Sequence, residues 1–303
     1  MPRGSTVALV FAALTLHAAV AGAQGRDFSK VEIKTTKVAE DIYMLEGAGG
    51  NIGVCVGPEG VLVIDDQFAP LTDKIKAAIT AISDKPIRFL FNTHFHGDHT
   101  GGNENFGKAG VAIVAHDNVR KRLSTEQYNA IFDRKTPPSP AEALPIVTFN
   151  DSVTFHIGGE EITCFHVPNA HTDGDAIVFF PRDNVVHMGD CLFNGLYPVL
   201  DISAGGSAAG MIAAADRMLK VTNADTKLIP GHGPLATRKD LEAFRDMMIK
   251  AQGRVKDLIK AGKSLDDIQK AKPLADMDAT WAKGNMTQDV FLKELFMDLS
   301  RGK

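Results

Sequence analysis

The sequence is poor in cysteine, has no surplus of positive charge and, past its N-terminus, has no long apolar run. Three cysteines, Cys55, Cys164 and Cys191, are too few for a disulfide framework; at most one pair could form. Lys and Arg number 33 against 37 acids, a net charge of −4, so the chain offers no basic footprint for a nucleic acid. No later segment is long and apolar enough to cross a bilayer. There is no arginine pair near the start, which excludes the usual twin-arginine export signal. A close internal repeat and a low-complexity tract are also lacking. What remains is ordinary globular composition, 44% hydrophobic and 23% charged. At 303 residues the chain can form one large domain or two small ones, with a core that needs neither metal nor disulfide to fold.

The first residues carry an address instead of a fold. Arg3 precedes the apolar run 7–20, broken only by Thr15 and His17, and Ala21-Gly22-Ala23 is a small-x-small cleavage site before Gln24. That is the layout of a secretory signal peptide, and the run is short for a membrane span. Residues 1–23 are expected to be removed, leaving 24–303 as a single domain, soluble in a periplasm or outside the cell. The mature chain then has 32 basic against 37 acidic residues, a net charge of −5.

Hydrophobic periodicity organises the rest. Residues 42–45, 52–56 and 61–64 read as strands joined by Gly-rich turns, an antiparallel meander. Leu71, Ile75, Ile79 and Ile82 have helical spacing. Residues 87–91 form a buried-type strand, and 111–114 another. The Thr136-Pro137-Pro138-Ser139-Pro140 stretch is a surface loop within one domain, because strands continue on both sides. Residues 153–157 and 161–165 flank Gly158-Gly159 as a hairpin; 176–180 and 184–187 are further strands, 207–219 a helix and 227–229 a last strand. From residue 237 onward the chain is a helical extension: one amphipathic face over 239–261, a restart where Ser264 precedes Asp267 by three, and a final helix over 288–299 with Thr287 as its N-cap. The pattern predicts an α/β protein of two mixed sheets packed face to face, with helices on the outer faces.

The chemistry concentrates in Asn92-Thr93-His94-Phe95-His96-Gly97-Asp98-His99-Thr100. Residues two apart on an extended chain point the same way, so His94 and His96 can reach one ion. Gly97 then lets the backbone turn and re-aim Asp98 and His99 at a second position. Imidazole and carboxylate are the donors zinc uses in catalytic sites. His116, His156, His166 and His187 lack a comparable setting. Asp65, at the end of a strand, is a candidate to accept the outer N–H of a ligand histidine and fix its tautomer.

The run His-Phe-His-Gly-Asp-His resembles the metallo-β-lactamase superfamily signature, His-x-His-x-Asp-His. The resemblance extends over about residues 41–234 and includes Gly49-Gly50-Asn51-Ile52-Gly53 and Val61-Leu62-Val63-Ile64-Asp65. It implies an αββα sandwich with two metals at one edge between the sheets. It also implies the remaining ligands: His171 in Pro168-Asn169-Ala170-His171-Thr172, Asp190 in His187-Met188-Gly189-Asp190, and His232 in Pro230-Gly231-His232-Gly233. The first zinc would take His94, His96 and His171, the second Asp98, His99 and His232, with Asp190 touching both. Iron or manganese would fit the same donors.

Two zincs imply a hydrolase in which metal-bound hydroxide attacks a small-molecule electrophile, with Asp98 orienting the nucleophile. For the substrate, the chain departs from its better-known relatives. β-Lactamases with a cysteine ligand place it where Asp190 stands; Cys191 is one residue later, which on a strand turns it to the opposite face. Those enzymes carry a Lys, and lactonases a Tyr, where this chain has Phe193; Tyr197 is the nearby candidate substitute. Thioester hydrolases of the family share all seven ligands. The expectation is therefore a carbonyl substrate: lactone, ester or thioester. Export favours a β-lactam amide as the alternative. A phosphodiester, or a non-catalytic metal-binding role, comes after these.

Overall fold

The computed structural model describes residues 27–284 and 286–301. The expected signal peptide lies outside the described residues. The opening meander is β1 (Lys34–Lys37), β2 (Ile42–Glu46), β3 (Ile52–Gly57) and β4 (Gly60–Ile64), paired antiparallel in order. Helix α1 (Thr72–Ile82) leads to β5 (Ile87–Asn92), which pairs parallel to β4. After the short helices α2 (Gly97–Thr100) and α3 (Asn103–Lys108), β6 (Ala112–His116) adds in parallel. Helix α4 (Asp117–Leu123) and a separate hairpin, β7 (Gln127–Asn129) with β8 (Arg134–Thr136), precede β9 (Val147–Phe149), which completes a seven-stranded sheet.

The second sheet has six strands: β10 (Ser152–Ile157), β11 (Glu160–His166), β12 (Ala176–Phe180), β13 (Val185–Phe193), β14 (Lys227–His232) and β15 (Ala236–Thr237). All its pairs are antiparallel except β13 with β14, which are joined through α5 (Ala208–Val221). The chain then continues through α6 (Arg238–Lys260), α7 (Leu265–Ala271), α8 (Asp278–Trp281) and α9 (Gln288–Leu299).

The two-residue period of a strand sets the layers. Along β4, Leu62 and Ile64 face the core between the sheets, with Phe91 from β5 and Phe155, Ile162, Val178 and Phe180 from the second sheet. Val61 and Val63 face the other way, onto Leu71, Ile75 and Ile79 of the α1 segment. The outer face of the second sheet, with Val186 and Met188, packs on Met211, Ala215 and Met218 of α5, Phe244 and Met248 of α6, and Phe291 and Leu295 of α9. This is the expected αββα sandwich of two mixed sheets.

The extension is helical as expected, with capping boxes at Thr237–Asp240 and Ser264–Asp267, and with Thr287 accepting from the Val290 N–H. Short elements escaped the periodicity. β1 is a charged, mostly exposed edge with no apolar alternation, and β7, β8 and β9 have only three residues each. The strand expected over 184–187 runs on to Phe193. Gly189, at φ +50°, shifts its register against β14. A side chain there would press into Thr93, so glycine serves both the conformation and the close approach.

Candidate metal centre

The signature residues follow directly from the end of β5. His94 is buried in the bend that follows β5, and His96 stands at the N-cap of α2, whose single turn carries Asp98 and His99. The re-aiming expected of Gly97 is the work of this right-handed helical turn; Gly97 itself starts the turn, and no atom lies near its missing side chain. His171 stands in the loop between β11 and β12. Asp175 shapes that loop: its Oδ2 accepts the N–H groups of His171 at 2.6 Å and Thr172 at 2.8 Å. Asp190 lies on β13 just past the Gly189 irregularity, and His232 ends β14.

These elements bring the seven residues into two adjoining groups. His94, His96, His171 and Asp190 have donor atoms within 4.8 Å of one another, and so do Asp98, His99 and His232. Within the first group, His96 Nδ1 and His171 Nε2 are 2.8 Å apart. Within the second, His99 Nε2 is 3.3 Å from His232 Nε2. Asp190 joins them: Oδ2 is 3.4 Å from His171 Nε2 and 3.5 Å from His232 Nε2, and Oδ1 is 3.1 Å from His99 Nε2.

The outward nitrogens are anchored, which leaves the inward ones free to bind. His99 Nδ1 is 2.8 Å from Asp65 Oδ2, as the sequence suggested for that strand-end acid. Asp65 also accepts the Thr93 N–H and hydroxyl, each at 2.8 Å. His171 Nδ1 donates to Val199 O at 2.7 Å, and His96 Nε2 is 2.9 Å from Asp201 Oδ2. Such partners fix ring orientation and tautomer. Asp201 was not found from sequence, since it lies far from every motif in an apolar stretch; its only signal is an acid ahead of Ile202-Ser203-Ala204, whose N–H at Ala204 it caps at 3.0 Å.

The inner atoms fit divalent cations. His94 Nε2 is buried with no hydrogen-bond partner, a costly state for a polar atom unless something else satisfies it. The donor set, five imidazoles and two carboxylates, is of the kind zinc takes. On one side the centre is open: His96, Asp98 and His232 keep 21%, 33% and 25% of their side-chain surface, against 0% for His99.

The charges are strongly coupled. Burial holds His94 well below the ordinary histidine value, with the neighbouring imidazoles adding to it, and pushes His171 down to about 4. Burial opposes charging at Asp190, yet His99, His232, His94 and His171 outweigh it and keep the carboxyl well below its usual range. For His232 burial is again outweighed, here by the Asp190 and Asp98 carboxylates, which push it up to about 9.

Other sequence candidates fall outside the centre. His187 is buried and 3.1 Å from Asn51 O, His116 and His166 stack on each other with ring centroids 3.9 Å apart, and His156 is exposed. Cys191 packs in the helix-side core while the Asp190 carboxylate reaches the centre, and all three cysteines are free and buried. Tyr197 does not substitute at the site: it is fully buried, and its hydroxyl donates to Asp278 at 2.9 Å and packs beside Leu274 O. Phe193 does reach the centre, where its ring stacks on His232 at 5.2 Å.

The metallo-beta-lactamase superfamily profile matches residues 45–232. The chain belongs to the metallo-beta-lactamase superfamily. Among curated members it is 25% identical over 223 residues to the alpha subunit of 2,4-dinitroanisole O-demethylase from Nocardioides sp. (strain JS1661), covering 71% of this chain and 62% of that one. It is 25% identical over 193 residues to metallo-beta-lactamase type 2 of Elizabethkingia meningoseptica, covering 59% and 70%. The match thus spans less than two thirds of the demethylase subunit. Among solved structures, a stereoselective inverting sec-alkylsulfatase from Pseudomonas sp. superposes with a TM-score of 0.64 at 18% identity, over 87% of this chain and 50% of its own. Members of the superfamily therefore share this fold while differing in the reactions named for them.

Proposed function

We propose that this protein is a dinuclear metal-dependent hydrolase acting on a carbonyl substrate: a lactone, ester or thioester. The observation that carries the reading is the position of Asp190, whose carboxylate lies within 3.5 Å of donor nitrogens from both groups. Zinc is the metal the donor set favours, with His94, His96 and His171 on one ion, Asp98, His99 and His232 on the other, and Asp190 shared. Bound there, the ions supply an acidified water as nucleophile and Lewis acidity for the acceptor oxygen.

The chain's own groups do the rest. Asp98 is on the open side, and its Oδ2 is 3.4 Å from His232 Nε2. Although burial opposes it, His99 and His232 hold the Asp98 carboxyl below its ordinary range. A charged carboxylate at the mouth can orient an attacking water. Phe193, stacked on His232, presents an apolar wall instead of a cation, which suits an uncharged acyl group better than a carboxylate-bearing β-lactam. Export belongs to the same proposal: residues 1–23 have signal-peptide composition, and among the described residues no helix is long and apolar enough to cross a membrane.

The test is a hydrolysis panel on residues 24–303 with and without chelator: an acyl-homoserine lactone, an ester, a thioester, a cephalosporin, an alkyl sulfate and an activated phosphodiester. Chelator-sensitive turnover confined to the first three supports the reading. Turnover confined to the others redirects the substrate class, and none at all with two metals bound overturns the hydrolase.

A further inference from the structure

Glu294 is a buried acid with no part in the chemistry above. It lies on α9 with 0% of its surface exposed, among Phe291, Leu292 and Leu295. Such a burial is expensive for a carboxyl unless its oxygens are hydrogen-bonded. One oxygen, Oε2, accepts the Leu200 N–H at 2.9 Å, and the other has no hydrogen-bond partner. Burial pushes the carboxyl well above its usual range, with Asp201 acting in the same direction.

Leu200 is the middle of a three-residue strap. On one side, Val199 O receives His171 Nδ1 at 2.7 Å. On the other, Asp201 Oδ2 holds His96 Nε2 at 2.9 Å, and the Asp201 N–H donates to His171 O at 3.0 Å. Two of the three histidines of the first group are therefore oriented by residues adjacent to Leu200. The third, His94, has Thr93 as its outer neighbour and does not use the strap.

Glu294 is not alone on its helix. Asp298, four residues on, accepts the Ala208 N–H at 2.9 Å, and Arg301, just past the end of α9, donates to Ile202 O. Positions 294 and 298 lie one helical turn apart; Glu294 holds the strap and Asp298 the start of α5.

We propose that Glu294 is a positioning residue for the first metal site, acting from the C-terminal helix through Val199, Leu200 and Asp201 on His171 and His96. The inference rests on the reading of this centre as a two-metal site. It assigns the helical extension a role in metal binding as well as in packing. The second site, whose histidines are held by Asp65 and by β14, is independent of the strap.

The test is a zinc titration of the stripped mature protein against a chromophoric chelator, which resolves two binding steps. His96→Ala marks which step belongs to the first site. Glu294→Ala weakens that step by about 10- to 100-fold, the usual effect of losing a group behind a ligand, and leaves the other unchanged. Glu294→Gln, whose amide oxygen can still accept from Leu200, restores the first step. If Glu294→Ala does not fold, Glu294→Asp, one methylene too short to reach Leu200, shows the same selective weakening. A variant that only unfolds at lower temperature, with both zinc steps as in the parent, overturns the inference, as does a Glu294→Gln protein no better than the alanine variant. A parent protein with no two-step binding overturns the metal-centre reading instead.

Discussion

Asp65 Oδ2 lies 2.8 Å from His99 Nδ1, and neither residue has any exposed surface. Asp65 sits at φ +63°, a left-handed conformation that an aspartate adopts at some cost. Its three hydrogen bonds, one to the His99 ring and two to Thr93, hold it there. Replacing it should damage the centre without touching a ligand. Asp65→Asn is expected to lower zinc affinity or turnover by about 10- to 100-fold. Zinc affinity and kcat/KM equal to the parent's would show that the contact is only structural.

Metal loading should release protons. With no metal, His232 is pushed up to about 9 by Asp190 and Asp98 against the effect of burial, so it carries a proton at neutral pH. A ligand imidazole must be neutral. Calorimetric titration with zinc at pH 7.5, in buffers of different ionisation enthalpy, is expected to report release of at least one proton per chain. His232→Ala should lower that number. Loading without proton release would contradict the charge state.

His187 makes a separate contribution to acid stability. It is fully buried, its Nε2 is 3.1 Å from Asn51 O, and its Nδ1 accepts the Gly189 N–H at 3.2 Å. That network suits one neutral tautomer, and burial lowers the ring to about 4. Since the folded value lies below the unfolded 6.5, the unfolded chain binds the proton more tightly. The stabilisation is complete above pH 6.5 and is lost as pH falls to about 4, by on the order of 3 kcal/mol. Denaturant unfolding of the zinc-free protein across that window should show the loss, and His187→Gln should flatten it.

Contiguity decides how much of this was legible in the sequence. His94, His96, Asp98 and His99 are readable because four candidate ligands fall within six residues at the end of one strand. His171, Asp190 and His232 needed the family resemblance, since each is a single residue in a short loop or strand end. Asp65 was accessible through its place at the end of β4. Asp201 and Glu294 were not, because their partners lie 105 and 94 residues away and only the fold brings them together. Glu294 in particular looks like an ordinary helix-surface acid, and its burial follows from α9 packing beneath the strap. The sheets were readable from alternation, whereas three-residue strands and charged edges carry too little pattern to be seen.

Two residues near the centre should prove dispensable for chemistry. Cys191 faces the helix-side core, and Tyr197 bonds to Asp278. Cys191→Ser is expected to keep both zincs while losing about 1–3 kcal/mol for a buried hydroxyl. Tyr197→Phe should lose about 1 kcal/mol for one hydrogen bond and keep kcat/KM. Metal loss in the first, or a large fall in turnover in the second, would reassign them.

The place of α9 at the end of the chain also has a temporal meaning. A chain is made from its N-terminus, so His94, His96 and His171 emerge well before Glu294, Asp298 and Arg301. Both sheets can pair while the strap still lacks its bond to Glu294. On the proposal that Glu294 positions His171 and His96, the first group gains its last support only when α9 docks. On the same proposal, a chain truncated before α9 would hold the first ion weakly and the second as the full chain does, so the order of filling would report docking of the last helix.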